Sequence, residues 1–172
     1  MVTPADSAYD SARRLYSPRY DSVRPGAIVF CETTQDVWRT VRWSRRHSIR
    51  VVPRCGGHSY AGYSTCKGVV VDVTRMSGVT VNHAAGTATI GAGAKLIDVD
   101  EALFEQGVMI PAGSCPSVGV AGLTLGLPDE AARFLLLSPP LPALARAPYG
   151  VLAAAAVSLL PGWARRYQAL GM

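Results

Sequence analysis

The sequence has few charged residues and no cysteines spaced like metal ligands. Only 17% of its 172 residues are charged and 49% are hydrophobic, a balance that excludes disorder over the whole length. The four cysteines, Cys31, Cys55, Cys66 and Cys115, form no Cys-x-x-Cys pair, which argues against a structural zinc site. We therefore expect free thiols in a reducing compartment, although Cys55 and Cys66 could pair under oxidation.

Dense basic runs, a leader pattern and internal repeats are also missing. Residues 1–10 are polar and have no basic start followed by an apolar run, so we expect no secretory signal and a cytoplasmic protein. The net charge of +5 is spread along the chain and does not indicate a nucleic-acid-binding protein. Its densest basic group has spacings that fit the solvent-facing side of a helix: Arg39, Arg42, Arg45, Arg46 and Arg50.

The first part of the chain alternates between strand-like and helix-like patterns. A short apolar run predicts a strand over Ala27–Phe30. Thr33 or Thr34 then offers a helix N-cap, with Asp36 in the first turn. A second strand is predicted over Ile49–Pro53. This β-α-β unit would place its two strands side by side and parallel.

Further strands and one more helix are predicted after this unit. Gly107 is expected to end the helix, because glycine commonly follows the last helical turn. The predicted elements are a strand over Val69–Val73, a hairpin of Val79–Val81 and Thr87–Ile90 around a turn at residues 83–86, a helix over Lys95–Gln106, and a short extended piece at Val108–Ile110.

Two glycine-rich segments could carry chemistry. In Arg54–Ser64, paired glycines directly after a strand can expose a row of main-chain N–H groups, which binds a pyrophosphate. A tight surface turn with an incidental His58 would explain that segment equally well. In Gly113–Gly122, the many small residues indicate a close approach to the backbone. Taken alone, Cys115 is more typical of a small buried residue than of a reactive thiol.

Together the two segments resemble a known cofactor-binding domain. The first matches the R-x-G-G-H-S-Y motif of vanillyl-alcohol-oxidase-type flavoproteins, and the second matches G-x-C-P-x-V-G-x-x-G of the berberine-bridge-enzyme-like FAD-linked oxidoreductases. The resemblance is collinear from about Pro25 to Gly126. It implies an α+β fold: the first subdomain of a PCMH-type FAD-binding domain, with a β-α-β unit, a small mixed sheet and flanking helices, truncated in this chain.

The resemblance also implies roles for individual residues. His58 would bond the methyl carbon at flavin position 8, and Cys115, as a thiolate, would bond ring position 6. The chain would then be an FAD-dependent oxidoreductase that takes hydride from an alcohol, amine or sugar carbon to flavin N5 and is reoxidised by oxygen. No catalytic base is identifiable, because the substrate domain is absent. The implied cofactor-binding residues are Arg54, Gly56, Gly57, His58, Ser59, Tyr60, Gly113, Ser114, Cys115, Val118 and Gly119.

Residues 127–172 match nothing in that family. The chain is thus expected to divide into an arm (1–24), a partial FAD-binding domain (25–126) and an unmatched tail rich in Ala, Leu and Pro (127–172). A reading-frame change would produce such a tail, and translating the other two frames of the coding DNA past codon 126 tests that hypothesis. The uncharged stretch Ala147–Ala164 is long enough to cross a bilayer, but its prolines and glycines weaken that interpretation.

Two other functional classes stay open at this point. A non-catalytic fragment could retain flavin or a nucleotide without turnover, or be an inactive remnant. A small membrane-attached protein would use the tail as its anchor. His47 and His83 are expected to be solvated residues at a helix end and in a turn.

Overall fold

The computed structural model of the protein describes residues 1–110 and 112–126. Within these residues the fold is α+β, and no helix is long and apolar enough to cross a membrane. The tail predictions for residues 127–172 lie outside them. The elements, in order, are α1 Tyr9–Ala12, a 3-10 turn at Pro18–Tyr20, β1 Ala27–Phe30, α2 Thr34–Arg46, β2 Val51–Arg54, β3 Val69–Asp72, β4 Val79–Asn82, β5 Thr87–Ile90, α3 Leu96–Phe104 and α4 Val120–Gly126.

The first sheet is parallel and has the order β1-β3-β2. The prediction that β1 and β2 are neighbours was therefore wrong: both strands are parallel, but β3 lies between them, with Val70 opposite both Ile28 and Val52. The reason is burial. All four residues of β3 are buried, and a strand that is apolar on both faces gains most at the centre of a parallel sheet.

Helix α2 connects β1 and β2 and starts as the sequence predicts. Thr33 is its N-cap: the Asp36 amide donates to the Thr33 hydroxyl at 3.2 Å, and the Asp36 carboxylate accepts the Thr33 amide at 3.0 Å. This reciprocal pair satisfies two donors that the first helical turn leaves free. The expectation of a wet arginine face is confirmed, because all five arginines of that group are exposed.

The second half of the fold is built on the β4–β5 hairpin, which pairs antiparallel as predicted. Helix α3 ends before Gly107, whose φ of +70° suits glycine. The piece at Val108–Ile110 forms no strand. Phe104 is an apolar residue of α3, but its side chain is 82% exposed. The core of this half consists of Ile90, Ala94, Leu96, Val99, Leu103 and Val120.

The N-terminal arm packs against the first sheet. Val2 forms an antiparallel bridge with Ile28. Tyr9 is 2% exposed, and its hydroxyl donates to the Pro25 carbonyl at 2.6 Å. Residues 1–24 therefore contribute to the packing around the parallel sheet and bring Leu15 and Tyr16 toward the first glycine-rich segment.

Candidate cofactor-attachment site

The two glycine-rich segments meet in direct main-chain contact. We call residues 54–64 the histidine loop and residues 113–119 the cysteine loop. A Cβ atom added to Gly56 would lie 2.6 Å from the Gly119 nitrogen, and one added to Gly119 would lie 2.5 Å from the Gly56 nitrogen. Real Cβ atoms do not come so close, so both positions require glycine. The expected close approach to the backbone is confirmed, and the approaching group is the other loop.

Helix α3 fixes the cysteine loop in place. The amides of Leu96 and Ile97 donate to the carbonyls of Val118 and Pro116, each at 3.0 Å. The first amides of a helix have no partner inside it, and here the cysteine loop supplies those partners. The amide of Val120 donates to the Ala94 carbonyl at 2.9 Å on the other side. The second half of the loop is therefore held by the segment that begins α3.

Three groups hold or surround the imidazole of His58. Its Nε2 lies 2.8 Å from the hydroxyl oxygen of Ser117, and its ring stacks on Tyr16 with centroids 4.0 Å apart. Partial burial, and after it the positive charge of Lys95, lowers the pKa of His58 below its usual 6.5. The imidazole is therefore neutral at neutral pH, the form in which a ring nitrogen is nucleophilic.

Cys115 lies next to the same hydroxyl group. Its Sγ is 3.9 Å from the Ser117 oxygen, so the sulfur and His58 Nε2 are separated by at most the sum of the two distances, 6.7 Å. The structure thus brings together the two residues that the sequence assigned to attachment. Ser117 was missed, because the motif treats its position as variable and a serine between proline and valine carries no signal of its own.

The histidine loop presents a row of free amides. Among the described residues, the amides of Gly57, His58 and Ser59 donate to no main-chain or side-chain acceptor, whereas the Gly56 amide faces the Cys55 thiol and Gly119. Gly57 has a φ of +70°, which turns the chain and aims successive N–H groups toward one side. Such a concave row suits an anion. The Ser59 hydroxyl instead accepts the Tyr63 amide at 3.0 Å, which closes the following turn.

Arg54 lies beneath the loop rather than on its surface. Its Nε donates to the Asp72 carboxylate at 2.6 Å, and one terminal nitrogen donates to the Ala12 carbonyl at 2.8 Å. The other terminal nitrogen, Nη1, is buried and has no partner within the described residues. The guanidinium therefore ties β2 to β3 and the arm, with one donor still unused.

The remaining predicted residues are less closely grouped. The Tyr60 side chain is 84% exposed, and only its carbonyl is engaged, accepting the Tyr20 hydroxyl at 2.6 Å. Ser114 is exposed. Gly113 lies over Leu96, and Val118 packs against the core around the β4–β5 hairpin and α3. These residues border the place where the loops meet and do not touch His58.

The remaining cysteines and histidines form no disulfide and no metal site among the described residues. All four cysteines are free, including Cys55 and Cys66, and burial raises the pKa of the Cys55 thiol. No three His, Cys, Asp or Glu side chains are grouped for a metal ion in the part that the structure describes. His47 ends α2 and His83 lies in the hairpin turn, both exposed as expected.

Replacing Gly119 with alanine is expected to lower the free energy of unfolding by about 1–3 kcal/mol, the usual cost of overpacking. The new methyl group would collide with the Gly56 backbone and with Cys55, and so would push the loops apart. Gly122→Ala is the matched control, because it lies in α4 with no atom of the described residues within 4 Å of an added Cβ. It should stabilise by up to about 1 kcal/mol. Equal effects of both variants in urea unfolding would contradict the loop contact.

Known proteins match this chain over its described part. The profile of the family described as FAD binding domain matches residues 25–127. An uncharacterized FAD-linked oxidoreductase of Bacillus subtilis, YgaK, is 38% identical over 130 residues, which are 73% of this chain and 28% of that protein. The (R)-6-hydroxynicotine oxidase of Paenarthrobacter nicotinovorans is 30% identical over 126 residues, which are 73% of this chain and 27% of that protein.

A solved structure gives the same match in three dimensions. BBE-like 1 of Physcomitrella patens superposes with a TM-score of 0.64 at 38% identity, over 70% of this chain and 27% of that chain. The chain therefore spans little more than a quarter of the length of each of these three proteins.

Proposed function

The chain belongs to the FAD-binding domain family of FAD-linked oxidoreductases, and on that basis we propose that it supplies both attachment residues of a covalent FAD site. The observation that carries the proposal is the pairing of His58 and Cys115 around Ser117, with the two reactive atoms at most 6.7 Å apart. One flavin has both attachment positions on the same benzenoid ring. Two nucleophiles from distant parts of the sequence have no other evident reason to converge there.

The residues of the chain fit this cofactor at three points. The free amides of Gly57, His58 and Ser59 would bind the diphosphate as an anion. The close contact of Gly56 with Gly119 keeps the loops in register, so that the diphosphate cradle and the attachment residues belong to one site. Arg54 would offer its unused Nη1 donor from beneath the loop, while its charge stays paired with Asp72.

His58 and Cys115 act as nucleophiles in the attachment. A neutral imidazole has a lone pair to form the N–C bond, and a thiolate forms the S–C bond. Each new bond would replace one C–H bond of the bound flavin, with the proton leaving to water and the two electrons passing to the flavin ring. When bound, FAD supplies the redox chemistry: it takes two electrons from a substrate carbon, or from each attachment, and passes them to dioxygen.

The substrate is proposed to be a small molecule that is oxidised at a carbon bearing oxygen or nitrogen. The support comes from relatives, which include a hydroxynicotine oxidase and a glycopeptide hexose oxidase. A second candidate function is flavin retention without turnover, and it is supported by the position of both attachment residues within the described part of the chain. Acid precipitation of the purified protein tests the binding claim shared by both: flavin should stay with the pellet. Peroxide release with alcohols, amines or sugars then separates the two candidates.

The attachment through His58 is expected to depend on pH with a midpoint below the ordinary histidine pKa of about 6.5. Because the pKa of His58 is lowered by burial and by Lys95, the imidazole stays neutral, and the rate stays at its plateau, to a lower pH than for a free histidine. The rate falls as the pH drops through the lowered pKa. Ser117 and Tyr16 are the uncharged neighbours of the ring.

The Cys115→Ala variant can attach flavin only through His58. Measuring its rate of covalent flavin attachment against pH therefore reports on the His58 bond alone. Lys95→Gln should move the midpoint upward, since it removes the repelling charge. If the rate of flavin attachment in the Cys115→Ala variant had its midpoint at or above pH 6.5, the assignment of the neutral His58 imidazole as the nucleophile would be wrong.

A further inference from the structure

We propose that Ser117 is a positioning residue whose single hydroxyl group orients His58 and Cys115 for attachment at the same time. This inference rests on the proposed covalent FAD site. Ser117 Oγ lies 2.8 Å from His58 Nε2 and 3.9 Å from Cys115 Sγ. In the described residues it is the only group that contacts both nucleophiles through a polar atom.

The hydroxyl is held firmly enough to position its partners. The carbonyls on either side of it, at Pro116 and Val118, accept the first amides of α3. The carbonyl of Ser117 itself lies against Gly56, where an added Cβ would collide with it. The main chain on both sides of the hydroxyl therefore has one position relative to the helix and the histidine loop.

The direction of the hydrogen bonds follows from what the nucleophiles need. A serine hydroxyl has one proton to donate and can accept through its oxygen. A neutral imidazole has one N–H, and if Nε2–H donates to Ser117, the lone pair of Nδ1 is free to form a bond. The hydroxyl proton is then available to Cys115, where an O–H···S contact fixes the direction of the sulfur. One residue thereby selects the reactive tautomer of one nucleophile and orients the other.

Tyr16 restricts the imidazole from its face. The two rings are stacked 4.0 Å apart with an angle of 21° between their planes. Stacking limits tilting of the ring but does not determine which nitrogen faces the loop. The hydrogen bond to Ser117 makes that choice, so Tyr16 and Ser117 have separate effects.

The first test needs no flavin. The full chain, expressed in a riboflavin-starved host, is alkylated with iodoacetamide at neutral pH, and the modified Cys115 peptide is followed by mass spectrometry. Ser117→Ala should slow alkylation of Cys115 about threefold to tenfold, the rate equivalent of one ordinary hydrogen bond that holds the sulfur in place. Ser117→Thr keeps the hydroxyl and should restore most of the rate. Ser77→Ala, an exposed serine outside both loops, should have no effect.

The second test measures each attachment by itself. In the Cys115→Ala background the His58 bond is followed, and in the His58→Ala background the Cys115 bond is followed. Adding Ser117→Ala should slow both by about tenfold to a hundredfold, and Ser117→Thr should recover both. If Ser117 acted only through packing, its hydroxyl group would not matter. Attachment rates that fell equally in Ser117→Ala and Ser117→Thr would therefore overturn the inference.

The outcomes separate this inference from the function on which it rests. If the unsubstituted protein attaches no flavin, the proposed function fails, while the alkylation rates still show whether Ser117 acts on Cys115. If flavin attaches but Ser117→Ala alters neither rate, the site stands and the role of Ser117 is wrong. An effect on one nucleophile alone also contradicts the shared role.

Discussion

The double variant His58→Ala, Cys115→Ala is expected to retain no flavin after denaturation, whereas the unsubstituted protein retains about one flavin per chain. Each single variant should still hold flavin through its remaining bond. The expectation follows from the geometry: the two nucleophiles lie within 6.7 Å of each other, so one ring can reach both. Flavin absorbance of the acid-precipitated protein, relative to protein concentration, measures it.

Two control variants separate attachment from general damage. His83→Ala removes an exposed histidine in the hairpin turn, and Cys66→Ala removes a buried thiol that packs against the parallel sheet. Both should retain flavin as the unsubstituted protein does. If a single variant at His58 or Cys115 alone abolished retention, the flavin would be held by one bond and the paired site would be wrong.

Replacing Asp72 with alanine is expected to lower the free energy of unfolding by about 3–5 kcal/mol, because it leaves a buried charge without a partner. Arg54 and Asp72 are only 5% and 3% exposed in their side chains, and their charged atoms are 2.6 Å apart. The Asp72 carboxylate also accepts the Thr74 amide at 3.0 Å. Without Asp72, Arg54 retains the Ala12 carbonyl as its described partner, which does not neutralise the charge.

A second arginine–carboxylate pair provides the control. Arg75 and Glu32 are 2.7 Å apart, but their side chains are 57% and 63% exposed. Glu32→Ala should therefore cost no more than about 1 kcal/mol. Urea unfolding of both variants measures the difference. If Asp72→Ala were as mild as Glu32→Ala, the buried pair would not support the histidine loop as described.

The predictions of where α2 begins and where α3 ends were correct because these features depend on residues that are close in the sequence. The capping pair of Thr33 and Asp36 and the glycine that ends α3 depend on neighbouring residues. Strand order depends on distant ones: β3 enters between β1 and β2 because it is buried on both faces, and nothing within the β-α-β segment reveals that.

The same distinction applies to the site. Two motifs supplied His58 and Cys115, and the many small residues of Gly113–Gly122 predicted a close approach within that segment, which the structure locates at Gly119. Ser117 and Tyr16 gave no sequence signal, since their importance comes only from where the fold places them. Arg54 was predicted beside the cofactor from its position in the motif. Its pairing with Asp72 depends on the register between β2 and β3, which a single sequence does not show.

The most direct test of the covalent FAD site is peptide mass mapping of the denatured, digested protein. The account predicts that the peptide containing His58 and the peptide containing Cys115 are recovered linked through one flavin, and that either single variant frees one of them. Recovery of both peptides unmodified, with all flavin released on denaturation or none present, would contradict it.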